Sequence, residues 1–323
     1  MTKATYSNSQ IFFPAVLAFA ILLVIPLDVH GYVIARTNEP VRGDVLISPA
    51  KIELELAQGT RATENITVTN RLSERAHIEL SAEDIVGTKD GGDPIVLLGT
   101  VTSSFTLKDF LRTDIRSFDL ESGESITVPV VIELPEGIEP GGRYAIVLAT
   151  ITTAKAGQKL SSSGASLRTR LGATFFVRVT GPYLEEGKLV SFATLNRKYV
   201  YGAGPVPFYA TYENTGAVHE NPYGLLTVSN VFGMQVYREI IPPTFVLPQS
   251  VRTLFIDWPT RWNLGYYRAE LKLNRGYQNI IDSSSTSFFI ISWQLVLLVL
   301  FPCFFAYGLF RNARMRYRLS RNI

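Results

Sequence analysis

Hydrophobic and polar positions alternate from Lys51 onward. Lys51-Ile52-Glu53-Leu54-Glu55-Leu56 sets Ile52, Leu54 and Leu56 on one side and charges on the other, the period of a half-buried strand. Gln58-Gly59-Thr60 turns the chain. Glu64 to Asn70 alternates again, with Ile66 and Val68 inward, and Asn70-Arg71-Leu72-Ser73 leads into a third strand, Ala76 to Leu80. Short alternating strands separated by polar turns predict a β-sandwich. Thr88 to Pro94, with two glycines and a proline, reads as a loop. From Ser104 to Arg116 the spacing of Phe105, Leu107, Phe110, Leu111 and Ile115 fits either a short helix or an irregular insertion. Strands resume at Phe118 to Leu120 and Ser125 to Leu134. After the turn Pro135 to Gly142, Arg143 to Ile151 is apolar enough to be buried on both faces. Ala154 to Ser166, rich in Ser, Gly, Ala and Lys, reads as a solvated loop before a closing strand, Arg168 to Thr180. The first sandwich is expected over 44–180.

Gly181-Pro182 marks a joint, since proline fixes φ and interrupts strand pairing. Strands are then predicted at Leu189 to Leu195, Val206 to Glu213, Ser250 to Trp258 and Tyr266 to Leu273. A hairpin joins Leu225–Asn230 to Met234–Ile241 about Val231-Phe232-Gly233. These form a second sandwich over 183–287, with Asp282 to Ser287 as a polar link at its end. Both regions hold a strand ending in Asn (Asn70, Asn214) and a later strand approached through Gly142-Arg143-Tyr144 or Gly265-Tyr266-Tyr267. The fold class predicted is all-β: two related immunoglobulin-like β-sandwiches in tandem.

Two apolar runs break the alternation. Residues 288–310 carry no charge, enough helix to cross a hydrocarbon core of about 30 Å. Pro302 is tolerated in such a span, and Trp293 and Tyr307 suit its two interfaces. The tail 311–323 holds Arg311, Arg314, Arg316, Arg318 and Arg321 and no acid, which assigns it to the cytoplasmic side and the rest of the chain to the outside. Near the start, Ile11 to Leu27 is apolar and follows Lys3. Residues 1–35 therefore read as a secretory signal cleaved after Ala35, or as an uncleaved signal anchor. The expected location is the cell membrane, single-pass, with the bulk extracytoplasmic.

Hydrophobic residues at 46% and aromatics at 11% of 323 residues exclude a disordered chain. The tail arginines outweigh the formal net charge of +3, so the outer region is slightly acidic and makes no case for nucleic acid. Cys303, inside the apolar run, is the single cysteine, so the outer domains must be held by core burial rather than disulfides. No G-x-S-x-G elbow, P-loop or dinucleotide fingerprint is present. The histidines, His30, His77 and His219, lie too far apart for a zinc site and read as surface or edge residues. Glu83-Asp84 could meet Asp90 and Asp93 around Ca²⁺, but their spacing is not that of an EF-hand and suits a solvated loop better. Glu53 and Glu55 are spaced for solvent. No catalytic, metal or cofactor residue is assigned, no cofactor is expected, and ligand-binding residues stay open. The second region concentrates Tyr199, Tyr201, Tyr209, Tyr212, Trp258, Trp262, Tyr266 and Tyr267. Such rings serve exposed contacts with sugar or protein or, as favoured here, pack in strands; Trp262, in a polar turn, is the one placed outside.

The stretches ISPAKIELELAQGTRATENITVTN and LESGESITVPVVIELPEGIEPGGRYAIVLAT resemble the peptidoglycan-binding domain of the WxL-interacting proteins of Gram-positive bacterial surfaces. The order of signal, two immunoglobulin-like domains, span and basic tail is also similar to that family. The resemblance implies cell-wall attachment by the first domain and contact with other surface proteins by the second. The expected function is a non-enzymatic, membrane-anchored binding protein contacting cell-wall polymer or surface proteins. A chaperone-like or stalk role in assembling secreted subunits is the alternative, and an envelope enzyme a weaker third.

Overall fold

A computed structural model describes residues 34–36, 40–153, 168–260 and 263–320. In chain order the first half holds β1 (Ile34–Arg36), β2 (Val45–Ser48), β3 (Lys51–Leu56), β4 (Arg61–Asn70), β5 (Ala76–Val86), β6 (Val96–Leu97), β7 (Leu111–Arg112), β8 (Ser117–Leu120), β9 (Glu124–Glu133), β10 (Gly141–Thr153) and β11 (Arg168–Val179). The second half holds β12 (Gly187–Thr194), β13 (Val200–Tyr201), β14 (Val206–Asn214), β15 (Tyr223–Asn230), β16 (Gln235–Ile241), β17 (Ser250–Trp258), β18 (Leu264–Asn274), β19 (Ile281–Ile291) and the helix α1 (Trp293–Ser320).

Four sheets result. One runs β1-β9-β4-β2 with β7 beside β9, and faces β3-β11-β10-β5-β6 with β8 beside β5. The other pair is β12-β14-β17 and β13-β19-β18-β15-β16. Period-two alternation is what lets two such sheets share a core. Ile66 and Val68 of β4, Ile126, Val128 and Ile132 of β9, and Phe175 and Val177 of β11 all turn inward and are buried. Each such side chain contributes about 1.5–3 kcal/mol by leaving water. The second core is more aromatic, built on Phe208, Tyr212, Trp258, Tyr267 and Phe288. β10 is buried on both faces, as its apolar run predicts. Ala145, Val147 and Ala149 join the first core, while Tyr144 joins Ile85, Phe176 and Leu247 in a third cluster between the sandwiches. The stretch 104–116 is irregular, with one 3-10 turn over Lys108–Phe110 followed by β7.

Two expectations need correction at the end of the chain. Asp282 to Ser287 is no link: it pairs with β18 from Asn274↔Ile281 to Leu264↔Ile291 as part of β19. Phe288 and Ile290 belong to the core of the second sandwich rather than to the apolar span. The strand was hidden because its outward residues there, Phe289 and Ile291, are apolar as well, so alternation reads as a continuous run. The helix starts only at Trp293. Over its described residues its large apolar side chains are exposed, Phe301 by 74% and Phe304 by 80%. Counting only described residues, no helix is long and apolar enough to cross a membrane; the side chains at 295, 296 and 299 fall outside that count. The predicted segments 1–33, Ala154 to Ser166 and the last residues of the tail lie outside the described residues. Ile34 to Arg36 pair with β9, so cleavage after Ala35 would divide β1.

Candidate functional site: the cleft between the sandwiches

The two sandwiches meet through close backbone approaches. Gly142 N–H donates to the Ala217 carbonyl at 2.9 Å, and a Cβ on Gly91 (φ +75°) would lie 2.5 Å from Thr253 Oγ1. Val251 N–H donates to Thr88 O across the same joint. At its centre Tyr144, fully buried, accepts the His219 N–H at 2.6 Å and lies 3.1 Å from His219 Nδ1. The hydroxyl and Nδ1 share one hydrogen bond, whose direction depends on the imidazole tautomer. Nε2 faces Glu53 Oε1 at 3.5 Å. Burial pushes the His219 pKa down to about 4, and the ring is neutral at pH 7. Glu53 is held below the usual carboxylate range: burial opposes this, but the hydrogen bond and charge of Lys51 prevail.

Beside this joint opens a cavity of about 380 Å³ lined by Lys51, Glu53, Asn221, Thr244, Phe245 and Arg252. Lys51 Nζ bonds Glu53 at 2.6 Å and lies over the rings of Phe176 and Phe245. Arg252 donates to Phe245 O and stacks 4.7 Å above that ring. Burial lowers its pKa, and among the described residues no carboxylate pairs with it. The cleft therefore offers a half-buried guanidinium and a nearby ammonium against one carboxylate, a net cationic lining.

The cleft adjoins an open sheet edge. β11 pairs with β10 along Arg168 to Val179. On its other side β3 runs parallel and covers only Thr174↔Lys51 to Val179↔Leu56. Among the described residues no strand is hydrogen-bonded along the outer edge of residues 168–173, although β2 passes near β11. That is about 20 Å of backbone at 3.3 Å per residue, and it ends at Lys51, at the mouth of the cleft. Such an edge is a template for another chain.

The singled-out residues separate. His77 is half-exposed on β5, bonding Asp119 at 2.9 Å. His219 is not a surface residue; the first sandwich buries it, and that contact, 75 positions away in sequence, leaves no local signal. Glu53 and Glu55 are both exposed, as their spacing predicts, and Glu53 in addition lies 3.5 Å from His219 at the rim of the cleft. Asp84 is buried and accepts from the backbone N–H of Ser103, Leu107 and Lys108, holding the irregular stretch. Glu83 is engaged by Arg170, and Asp90 closes its own turn onto Gly92 N–H. Among the described residues no cluster of His, Cys, Asp or Glu could hold a metal. Tyr201, Tyr212, Trp258 and Tyr267 are core; Tyr199 and Tyr266 are exposed. His30 and Trp262 lie outside the described residues. The Lys51–Arg252 lining and the β11 edge were missed, although Arg168-Thr169-Arg170 after a polar run was an available sign of an exposed edge.

No family model and no curated protein matches the chain. Among solved structures it is similar to the class 5 fimbriae chaperone CfaA, at 13% identity and TM-score 0.38, over 76% of this chain and 99% of that one. A chain of the Salmonella enterica SafA pilin–SafB chaperone complex gives 12% and 0.38, over 75% and 96%. A chain of the CsuC–CsuE chaperone–tip adhesion subunit complex of Acinetobacter baumannii gives 8% and 0.35, over 77% and 100%. At these scores the likeness carries no functional argument.

Proposed function

We propose that the chain is a membrane-tethered, non-enzymatic clasp that holds extended segments of exported polypeptides, the chaperone-like role in assembly. The observation that carries this reading is the unpaired edge of β11, residues 168–173, running into a cationic cleft. An incoming strand pairs by main chain along that edge, which asks little of its sequence. Its terminal carboxylate then reaches Lys51 and Arg252, which fixes its register. The helix α1 with its basic tail tethers the sandwiches to the outer face of a cytoplasmic membrane. A cell-wall polymer as partner rests mainly on the sequence resemblance, because four of the aromatics, Tyr201, Tyr212, Trp258 and Tyr267, are core residues and only Tyr199 and Tyr266 of the described ones are exposed.

The test uses the full chain in lipid nanodiscs and fluorescent peptides of about a dozen residues with alternating apolar positions, ending in carboxylate or amide. The carboxylate form binds at least about tenfold tighter, the size of one charge-assisted hydrogen bond. Arg252→Gln removes that preference and leaves the amide form unaffected. Binding of neither form above a polar scrambled control rejects the clasp.

A further inference from the structure

The end of the second sandwich from which α1 departs is apolar on its outside. β15 and β16 join there through the hairpin tip 231–234, since Asn230 pairs with Tyr267 and Leu264 with Ile291 across the same sheet. Val231, Phe232 and Met234 are exposed on that tip, Phe232 by 82%. The tip is braced: Asn230 Oδ1 accepts the N–H of both Phe232 and Met234 at 3.0 Å, so its side chains are presented rather than collapsed. At the same end of the sheet, with β18 between, Phe289 and Ile291 are exposed on β19, and Phe289 N–H is bonded to Tyr199 O. Trp293, the first residue of α1, is exposed as well.

The joint between sheet and helix leaves no slack. Ser292 alone separates β19 from α1; it is fully buried and its hydroxyl donates to Asn263 O at 2.7 Å. A bilayer that holds α1 is thus brought directly against this end of the sandwich. Exposed Arg197 and Lys198 lie on the same end, between β12 and β13, where cations favour anionic headgroups.

We infer that the membrane-proximal end of the second sandwich, through Val231, Phe232, Met234, Phe289, Ile291 and Trp293, seats in the headgroup layer of the bilayer that holds α1. The inference rests on the tethering reading above. Seating fixes the sandwich on the surface and holds the β11 edge and the cleft at a set height above it.

The experiment places a fluorophore on single cysteines of the full chain, in nanodiscs of phosphatidylcholine and phosphatidylglycerol with nitroxide on some headgroups. Phe232→Cys and, as reference on the first sandwich, Thr63→Cys are made with Cys303→Ser; native Cys303 is labelled separately and read with acyl-chain nitroxide. Side chains seated about 5–10 Å into the interface are quenched roughly threefold or more above the Thr63 reference. Equal quenching at 232 and 63 overturns the seating. With Cys303 quenched, that result leaves the tether standing; with Cys303 unquenched, the tether falls too. Protection of position 232 that grows with protein-to-lipid ratio identifies a second copy of the chain as the occupant and also overturns it.

Discussion

Asn70 and Asn214 hold the same place in the two sandwiches and do the same work. Each side-chain amide is fully buried at the end of a strand. Asn70 Nδ2 donates to Glu74 O and Leu120 O, and Asn214 Nδ2 to Val218 O and Val246 O. Each Oδ1 accepts the N–H two residues on, Leu72 or Gly216. The chains diverge immediately after. Five residues beyond Asn70 is Arg75, on the surface with Asp119; five beyond Asn214 is His219, buried under Tyr144. The last strands differ in the same sense. β3 covers one half of β11 and leaves the other half open. β19 carries an inward acid, Asp282, tied to Arg275 and to Leu189 N–H, a device that discourages strand addition. One scaffold thus carries two different strand edges: half of β11 is left unpaired in the first sandwich, and β19 bears a tied acid in the second.

The comparison breaks most visibly at the shared asparagine. Removing either amide leaves two carbonyls and one N–H without their partner. All three are buried at Asn214, and at Asn70 they are part-buried save Leu120 O, at about 1–3 kcal/mol for each buried group. Asn70→Ala and Asn214→Ala are therefore each expected to lose roughly 3–4 kcal/mol in denaturant unfolding of the full chain. A large loss in only one would show that the two turns are similar in shape but not in energy.

A second test separates the junction from its solvent-exposed counterpart at Arg75. His219, with its pKa lowered to about 4, is bound to one proton less when folded between there and its ordinary 6.5. Its stabilisation is complete above 6.5 and is lost as pH falls to about 4, an effect of about 3 kcal/mol at 1.36 kcal/mol per pKa unit. Glu220 has the opposite sign. Burial raises its pKa to about 7, its Oε2 takes the Tyr212 hydroxyl proton, and its Oε1 has no partner among the described residues. It favours the folded state increasingly as pH falls from 7 to 4.5. The neighbours offset each other, so Glu220→Gln should expose the acid-side loss and His219→Gln the acid-side gain. Melting curves against pH read both signs, and the same slope in both variants would remove the buried neutral histidine.

What the sequence made legible follows physical range. Strands such as β4 and β17 announce themselves because one face meets water. The repeated Asn endings were visible because part of the device is local, the turn each Oδ1 closes onto the N–H two residues on. The bonds to Leu120 O and Val246 O left no local sign. His219 was misjudged because the sandwich that buries it lies a domain away. The strand at Phe288 to Ile291 was absorbed into the span because both of its faces are apolar. For the cleft, Lys51 on β3 and Arg252 on β17 are brought together only by the docking of the two units.

The smallest effect concerns a second shared pair. Three residues before each asparagine stands a threonine, Thr67 or Thr211, facing a threonine on the neighbouring strand, Thr127 or Thr253. Their Oγ1 atoms are 3.1 Å apart in the first sandwich and 3.4 Å in the second. Cross-strand pairs of this kind contribute roughly 0.2–1 kcal/mol, and valine keeps the shape and β preference of threonine. At Thr67 the pair is exposed, and water replaces the lost partner of Thr127; Thr67→Val should change stability by less than about 0.5 kcal/mol. At Thr211 the pair is partly buried, and Gly91 of the first sandwich closes over Thr253, so the hydroxyl left behind is poorly hydrated. Thr211→Val should therefore cost about 1 kcal/mol, read as a difference in unfolding midpoint between otherwise matched variants. Equal effects at both sites would mean that docking against the first sandwich leaves Thr253 as wet as Thr127, and the closeness of that joint would have to be given up.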